Sequence, residues 1–427
     1  MSKKPSNILK LIGPGILIAA TGVGAGDLAT AAFTGSRLGV TILWAVLVGA
    51  FLKFVLTEGL ARWQLATGET LLEGVCHRYG KVIDYLFLAY LLVWTLFVSV
   101  ALMSACGVAM HAILPLRSLV PVEPFPSLSE IRPWLGPSTD KVVYGILHSG
   151  IAVGLVLWGG YQLFEKVMGV CIGVMFLTVV SAAILIGPDW GAVFQGLFIP
   201  SLEVLKDGGL GWTVALMGGV GGTLTVVCYG YWIREEGRTG AEDVRLCRID
   251  LATGYAVTAI FGLGMVILGS QLPFDKGAGG ATLVVKLAEV LKETKLGSTG
   301  QWAFLLGAWG AVFSSLLGVW QCVPYLFADF LSITKRDTDV KHEPVTVNSP
   351  GYKPYLFAMA TIPIVGLLVT EFRALQKFNA MFGALVMPML AATLLMLNNR
   401  KQWVGERFRN KWYTNVVLVL TLVFFLG

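Results

Sequence analysis

Charge is scarce in this 427-residue chain: Asp, Glu, Lys and Arg make up 14% of it, against 56% for the apolar set AVILMFWYC. Soluble domains carry about 25% charged residues, so a soluble globular fold is excluded. Histidine is scarcer still, with His77, His111, His148 and His342 far apart in the chain. A membrane-embedded enzyme would need clustered His, Asp and Glu ligands, or a nucleophile beside its base. No catalytic residue and no cofactor are expected. The cysteines, Cys76, Cys106, Cys171, Cys228, Cys247 and Cys322, show no CxxC spacing, which leaves neither a disulfide framework nor a zinc knuckle. The net charge of +6 is spread over short loops without a dense basic cluster, so nucleic acid is not an expected partner. Nothing points to an obligate protein partner.

What is abundant is long apolar runs. A membrane-crossing helix needs about 20 mainly apolar residues, because only an internally bonded backbone survives in hydrocarbon. Eleven stretches qualify, near 11–33, 40–61, 83–112, 142–161, 166–187, 209–232, 251–271, 300–328, 354–370, 378–397 and 412–426. They predict an all-α polytopic membrane protein, a single transmembrane domain over 1–427 whose partner is the lipid bilayer. Met1 to Lys10 carries three lysines, yet no small-residue cleavage site follows the first apolar run, so the first helix is expected to be retained. Alternate loops hold 20 and 11 Lys/Arg, with Lys53 alone inside span 2. The excess lies on the side of the N-terminus, which places that terminus in the cytoplasm of a cell-membrane protein.

Two spans break their own helical pattern. Span 1 sets Gly22, Gly24 and Gly26 before an acid, Asp27, midway through an apolar run. Span 6 places Gly218, Gly219, Gly221 and Gly222 ahead of Thr223 and Thr225. Glycine costs roughly 1 kcal/mol per residue in a helix interior, so both helices are expected to be interrupted. Spans 1 and 6 correspond if 11–187 and 209–397 are two inverted repeats with 412–426 as an extra helix, and paired Gly-interrupted spans point to a midplane binding site. Packing glycines of the small-xxx-small kind are the competing explanation for span 6. Asp27 is harder to dismiss, since an acid at bilayer depth costs on the order of 2.5–3.5 kcal/mol and generally faces an ion path.

Certain blocks of the sequence are recognisable. Leu11 to Leu17, then Gly24-Ala25-Gly26-Asp27 with Ala29 and Thr30, Leu60-Ala61-Arg62, Leu65 to Gly68, and Asn399-Arg400-Lys401 resemble the Nramp divalent-metal transporters, whose first helix carries Asp-Pro-Gly-Asn. The resemblance implies a leucine-transporter-type fold with broken helices 1 and 6, and a divalent metal ion as cargo. It aligns the family's Asp with Gly24 and its Asn with Asp27, so one carboxylate remains but has moved. The Ala-x-x-Met of span 6 falls on Gly222 and Thr225, which replaces the thioether by a hydroxyl beside the Gly222 carbonyl. Oxygen donors suit Mg²⁺ and Mn²⁺ where sulfur suits softer metals. Gly24 and Gly222 also remove side-chain volume, which is expected to leave room for a hydrated ion. The pattern is similar to the Nramp-related magnesium transporter branch.

The resemblance further implies a metal-lining role for Asn379 in span 10, and Thr21 and Thr223 are lining candidates because they flank the breaks. The acids that proton-coupled Nramps carry in span 3 would fall near Met103 and Cys106, and the span 6 histidine near Trp232; none of these titrates usefully. Uncoupled import of Mg²⁺, with Mn²⁺ as a further substrate, in a bacterial cell is therefore expected. A proton-coupled Mn²⁺/Fe²⁺ importer is the alternative, and a passive channel a second one. Lys53 and Glu58, five apart in span 2, are expected to share a structural ion pair, while His111 and His148 are expected to be packed or hydrogen-bonded rather than ligands.

Overall fold

The computed structural model describes residues 13–119, 136–201, 206, 208–272, 280–293, 296–334, 345–369 and 372–426, with the backbone alone at 25–27, 81, 280–282, 369 and 372–376. Every regular element among them is a helix. That follows from the solvent: lipid offers no hydrogen bonds, so each backbone group is satisfied within its own helix. Eight helices are long and apolar enough to cross a membrane, and the shorter Tyr352–Leu368 and Trp412–Leu426 are apolar as well. With the broken first span these account for the eleven expected stretches.

Span 1 is Pro14–Gly22, a wide π-type turn over Val23–Thr30, then Ala31–Leu38. Span 6 is Gly209–Gly219, a break, a short turn over Leu224–Cys228 and then Tyr229–Glu235. Spans 9 and 10 are also in two pieces, Tyr352–Thr361 with Ile364–Val369 and Phe372–Ala384 with Val386–Leu397. Pro363 lies in the gap of span 9, and Pro388, two residues into the second piece of span 10, cannot donate a backbone bond across that gap. Helices the apolar runs did not announce lie at Leu71–Tyr79, Trp190–Phe198, Gly280–Lys292 and Lys401–Phe408. The first of these is held by a capping box, with Thr70 and Glu73 each bonding the other's backbone.

Lipid tails give helices no hydrophobic reason to associate, so small residues that let backbones touch supply the contact. Spans 1 and 7 show this reciprocally: a Cβ on Gly35 would strike the Val266 carbonyl, and one on Gly269 would strike the Ala32 carbonyl. Large apolar side chains such as Val82, Leu86, Leu177 and Val423 stay exposed around the outside of the crossing helices, as lipid contact allows.

The N-terminal end of span 1 is tied down by buried polar groups. Asp250 of span 7 accepts the Gly15 N–H at 2.9 Å and also the Arg238 guanidinium at 2.8 Å and the Tyr229 hydroxyl at 3.0 Å. Burial alone would lower the pKa of Arg238, but the adjacent Asp250 outweighs it and the net direction is upward. Nearby, Asp329 of span 8 accepts the Thr70 hydroxyl at 2.9 Å and the Tyr231 hydroxyl at 2.6 Å. Half-helices of both broken spans are thus fastened to spans 7 and 8 on one side of the molecule.

Candidate metal site

The two breaks meet. At Gly24 the backbone leaves helical geometry (φ −64°, ψ −105°), while Gly221 and Gly222 take φ of +74° and +89°. Only glycine occupies that left-handed region without strain. Gly22 lies so close to the second break that a Cβ there would clash with the backbone of Gly221 and Gly222. Unwound segments from the first and sixth spans therefore touch backbone to backbone.

Beside this crossing is a cavity of about 30 Å³ whose walls include Thr21, Thr223, Thr225, Ser315, Asn379 and Trp94. At 10–15 Å³ per water centre it holds roughly two waters. Its polar atoms are neutral oxygens plus the Trp94 indole, whose N–H donates to Thr223 Oγ1 at 3.0 Å. Two of those oxygens, Thr21 Oγ1 and Asn379 Oδ1, are buried with no hydrogen-bond partner. A buried unsatisfied acceptor costs about 1–3 kcal/mol. Two such oxygens on side chains that line one small cavity are the chemistry a cation or its water would satisfy.

The predicted residues Gly24, Gly222, Thr223, Thr225 and Asn379 are brought together around the crossing. Asp27 sits in the unwound turn of span 1, but its side chain lies outside the described residues. One expectation about the glycines is corrected. The space vacated at Gly24 is filled by Ser315, and that at Gly222 by Thr225 Oγ1, 2.6 Å from where a Cβ would stand. These glycines serve close approach of segments rather than an enlarged cavity in this conformation.

Lys53 is a second correction. Its ammonium is fully buried and donates to the Gly218 carbonyl at 2.6 Å, at the C-terminal end of the first half of span 6, where the helix dipole is negative. Glu58 instead pairs with Arg62 at 3.1 Å and with Arg248 at 2.8 Å. Lys53→Met, which keeps volume but removes the donor, is expected to lower stability in detergent by about 1–3 kcal/mol, read as a shifted thermal unfolding midpoint. The histidines are bonded as expected: His111 to Asp140 at 2.6 Å, His148 to the Tyr144 carbonyl at 2.7 Å and the Trp309 indole at 2.8 Å.

The profile of the Nramp family, described as natural resistance-associated macrophage protein-like, matches residues 15–427. The chain belongs to the Nramp family. It is accordingly a multi-pass membrane transporter and not an enzyme. Among its relatives, the divalent metal cation transporter MntH of Staphylococcus aureus is 21% identical over 441 residues, covering 97% of this chain and 89% of the relative. In fold, this Nramp chain superposes on a crystal structure of the Eremococcus coleocola manganese transporter with a TM-score of 0.73 at 16% identity, over 99% of this chain and 87% of that one. The amino-acid-bound MhsT, crystallised with L-phenylalanine, matches with a TM-score of 0.60 at 15% identity over 99% and 100% of the two chains. Broken first and sixth helices thus sit in a leucine-transporter-type fold.

In this Nramp chain Met103, Cys106 and Trp232 are completely buried. The Trp232 indole donates to Gln321 at 2.9 Å. Ser315 is the residue that sequence reasoning missed. A serine among Gly, Ala and Leu in the long helix Gly297–Thr334 carries no signal of its own; only the contact with Gly24 reveals it.

Proposed function

We propose that this Nramp transporter carries divalent metal ions into the cell across the plasma membrane, with Mg²⁺ as the preferred substrate, Mn²⁺ as a second one, and no coupled proton. The observation that carries this reading is the sulfur-free cavity at the crossing of the two breaks, with its two unpartnered oxygens. Hydroxyl, carbonyl and carboxylate oxygens favour Mg²⁺ and Mn²⁺ over soft metals. Asp27 is the charged ligand; Thr225, Asn379 and the Gly222 carbonyl are neutral ones, with Gly24 and Thr223 shaping the wall. The manganese named for the Eremococcus protein supports Mn²⁺ as the second substrate.

The present cavity is too small for a fully hydrated ion, which therefore belongs to an open state of the alternating-access cycle. In this state the ion keeps only part of its shell. With Met103, Cys106 and Trp232 at the relay positions, transport is driven by the ion gradient and the membrane potential. The potential contributes about 2.3 kcal/mol per charge per 100 mV, and twice that for a divalent ion. The orientation that fits is a cytoplasmic N-terminus.

The test is uptake into proteoliposomes loaded with a Mg²⁺ indicator and a pH dye. Saturable Mg²⁺ entry without proton movement is the expected result. A stoichiometric proton signal, or a preference for Cd²⁺, Fe²⁺ or Co²⁺ over Mg²⁺, would contradict it.

A further inference from the structure

Span 8 contributes a residue to the crossing that no resemblance assigns. Ser315 Oγ accepts the Gly24 N–H at 2.9 Å and donates its proton to the Thr21 carbonyl. It therefore bridges the last turn of the first half of span 1 and the residue where the helix departs. Its neighbour Ser314 bonds the Ala20 carbonyl at 3.2 Å, so two consecutive hydroxyls run along the edge of the break. Both serines are buried, at 0% and 1% exposure, and Ser315 also forms part of the cavity wall.

A hydroxyl has one proton to donate and two lone pairs. For Ser315 the proton goes to Thr21 and one pair to Gly24, which leaves one pair for a cation or its water. Position 24 explains why the hydroxyl is there. A Cβ on Gly24 would collide with both Cβ and Oγ of Ser315, so the backbone has room for a side chain at 24 or at 315 but not at both. A carboxylate on span 1 and a hydroxyl on span 8 are thus alternatives for one volume.

We propose that Ser315 is a determinant of ion affinity and hardness in this transporter: it fixes the span 1 break and supplies a neutral oxygen to the ion or its water in the place where a side chain at 24 would stand. The proposal deepens the function given above and rests on it. It differs from a merely structural strap, which would hold the break without affecting which metal is preferred.

Ser315→Ala and Ser315→Cys, reconstituted beside the unmodified protein, separate the possibilities. Ser315→Ala is expected to raise the Mg²⁺ concentration for half-maximal uptake about 10–100-fold, the range seen when a metal ligand's support is removed. Ser315→Cys keeps the size and places sulfur at the wall, so Cd²⁺ should gain on Mg²⁺ as competitor and substrate. A monodisperse Ser315→Cys protein with an unchanged Cd²⁺ to Mg²⁺ ratio overturns the proposal, whatever the alanine variant does. If the unmodified protein carries no divalent ion, the function itself fails and this inference falls with it. If it transports Mg²⁺ and only the ratio stays constant, Ser315 alone has been misassigned.

Discussion

Gly22→Ala should abolish uptake and lower the stability of the purified protein. The added methyl would strike the backbone of Gly221 and Gly222, and a backbone cannot rotate aside as a side chain can. Overpacking of a tight interior typically costs about 1–3 kcal/mol. Here the same displacement also pushes the two breaks apart, so the loss of transport should exceed what the loss of stability explains. Thermal unfolding in detergent and ion uptake, measured on one preparation, check both parts. Gly173→Ala is the control, since a Cβ at that position meets nothing within 4 Å. It should behave as the unmodified protein.

Asp27→Ala should leave the fold intact while uptake of both Mg²⁺ and Mn²⁺ falls by more than about 100-fold. Even groups that only support a ligand cost 10–100-fold in metal affinity when lost, and Asp27 is proposed as the single charged ligand. Removing an acid from bilayer depth also relieves an insertion cost, so the unfolding midpoint should hold or rise. Flux assays together with the melting curve test this pair of expectations. A parallel fall in both would mean that the carboxylate holds the structure together instead of binding an ion.

Length, spans and breaks were legible because each is a local property of the chain. About 20 apolar residues must cross lipid as a helix, and the glycine clusters at 22–26 and 218–222 each lower the cost of interrupting one. What glycine does in space was not legible. The same four letters in span 6 read equally as added room or as close approach, and only the contacts of Gly22, Gly24 and Gly222 with Gly221, Ser315 and Thr225 decide for the latter.

Lys53 misled for a similar reason. Charge pairing within a span is visible at short range, whereas Lys53 donates to a backbone carbonyl at Gly218, 165 positions away. Glu58, five residues on, has two arginines within reach and no need of the lysine. The interruption of span 10 was missed because its glycine content is ordinary; Pro388 was its only local mark. Asn379, six residues before that interruption, faces the cavity with an unpartnered oxygen, a placement that required the tertiary fold.

The central claim is that the meeting point of the two broken helices is a divalent-cation site built from oxygen alone. Crystals grown with Mn²⁺, measured at a wavelength where that ion scatters anomalously, test it most directly. One strong peak is expected between the breaks, about 2.1 Å from a carboxylate oxygen of Asp27 if the contact is direct or a water's breadth further if it is not, with Thr225, Asn379 or the Gly222 carbonyl on its other side. A peak elsewhere, with the Asp27 carboxylate turned to lipid or closed onto an arginine, would contradict it.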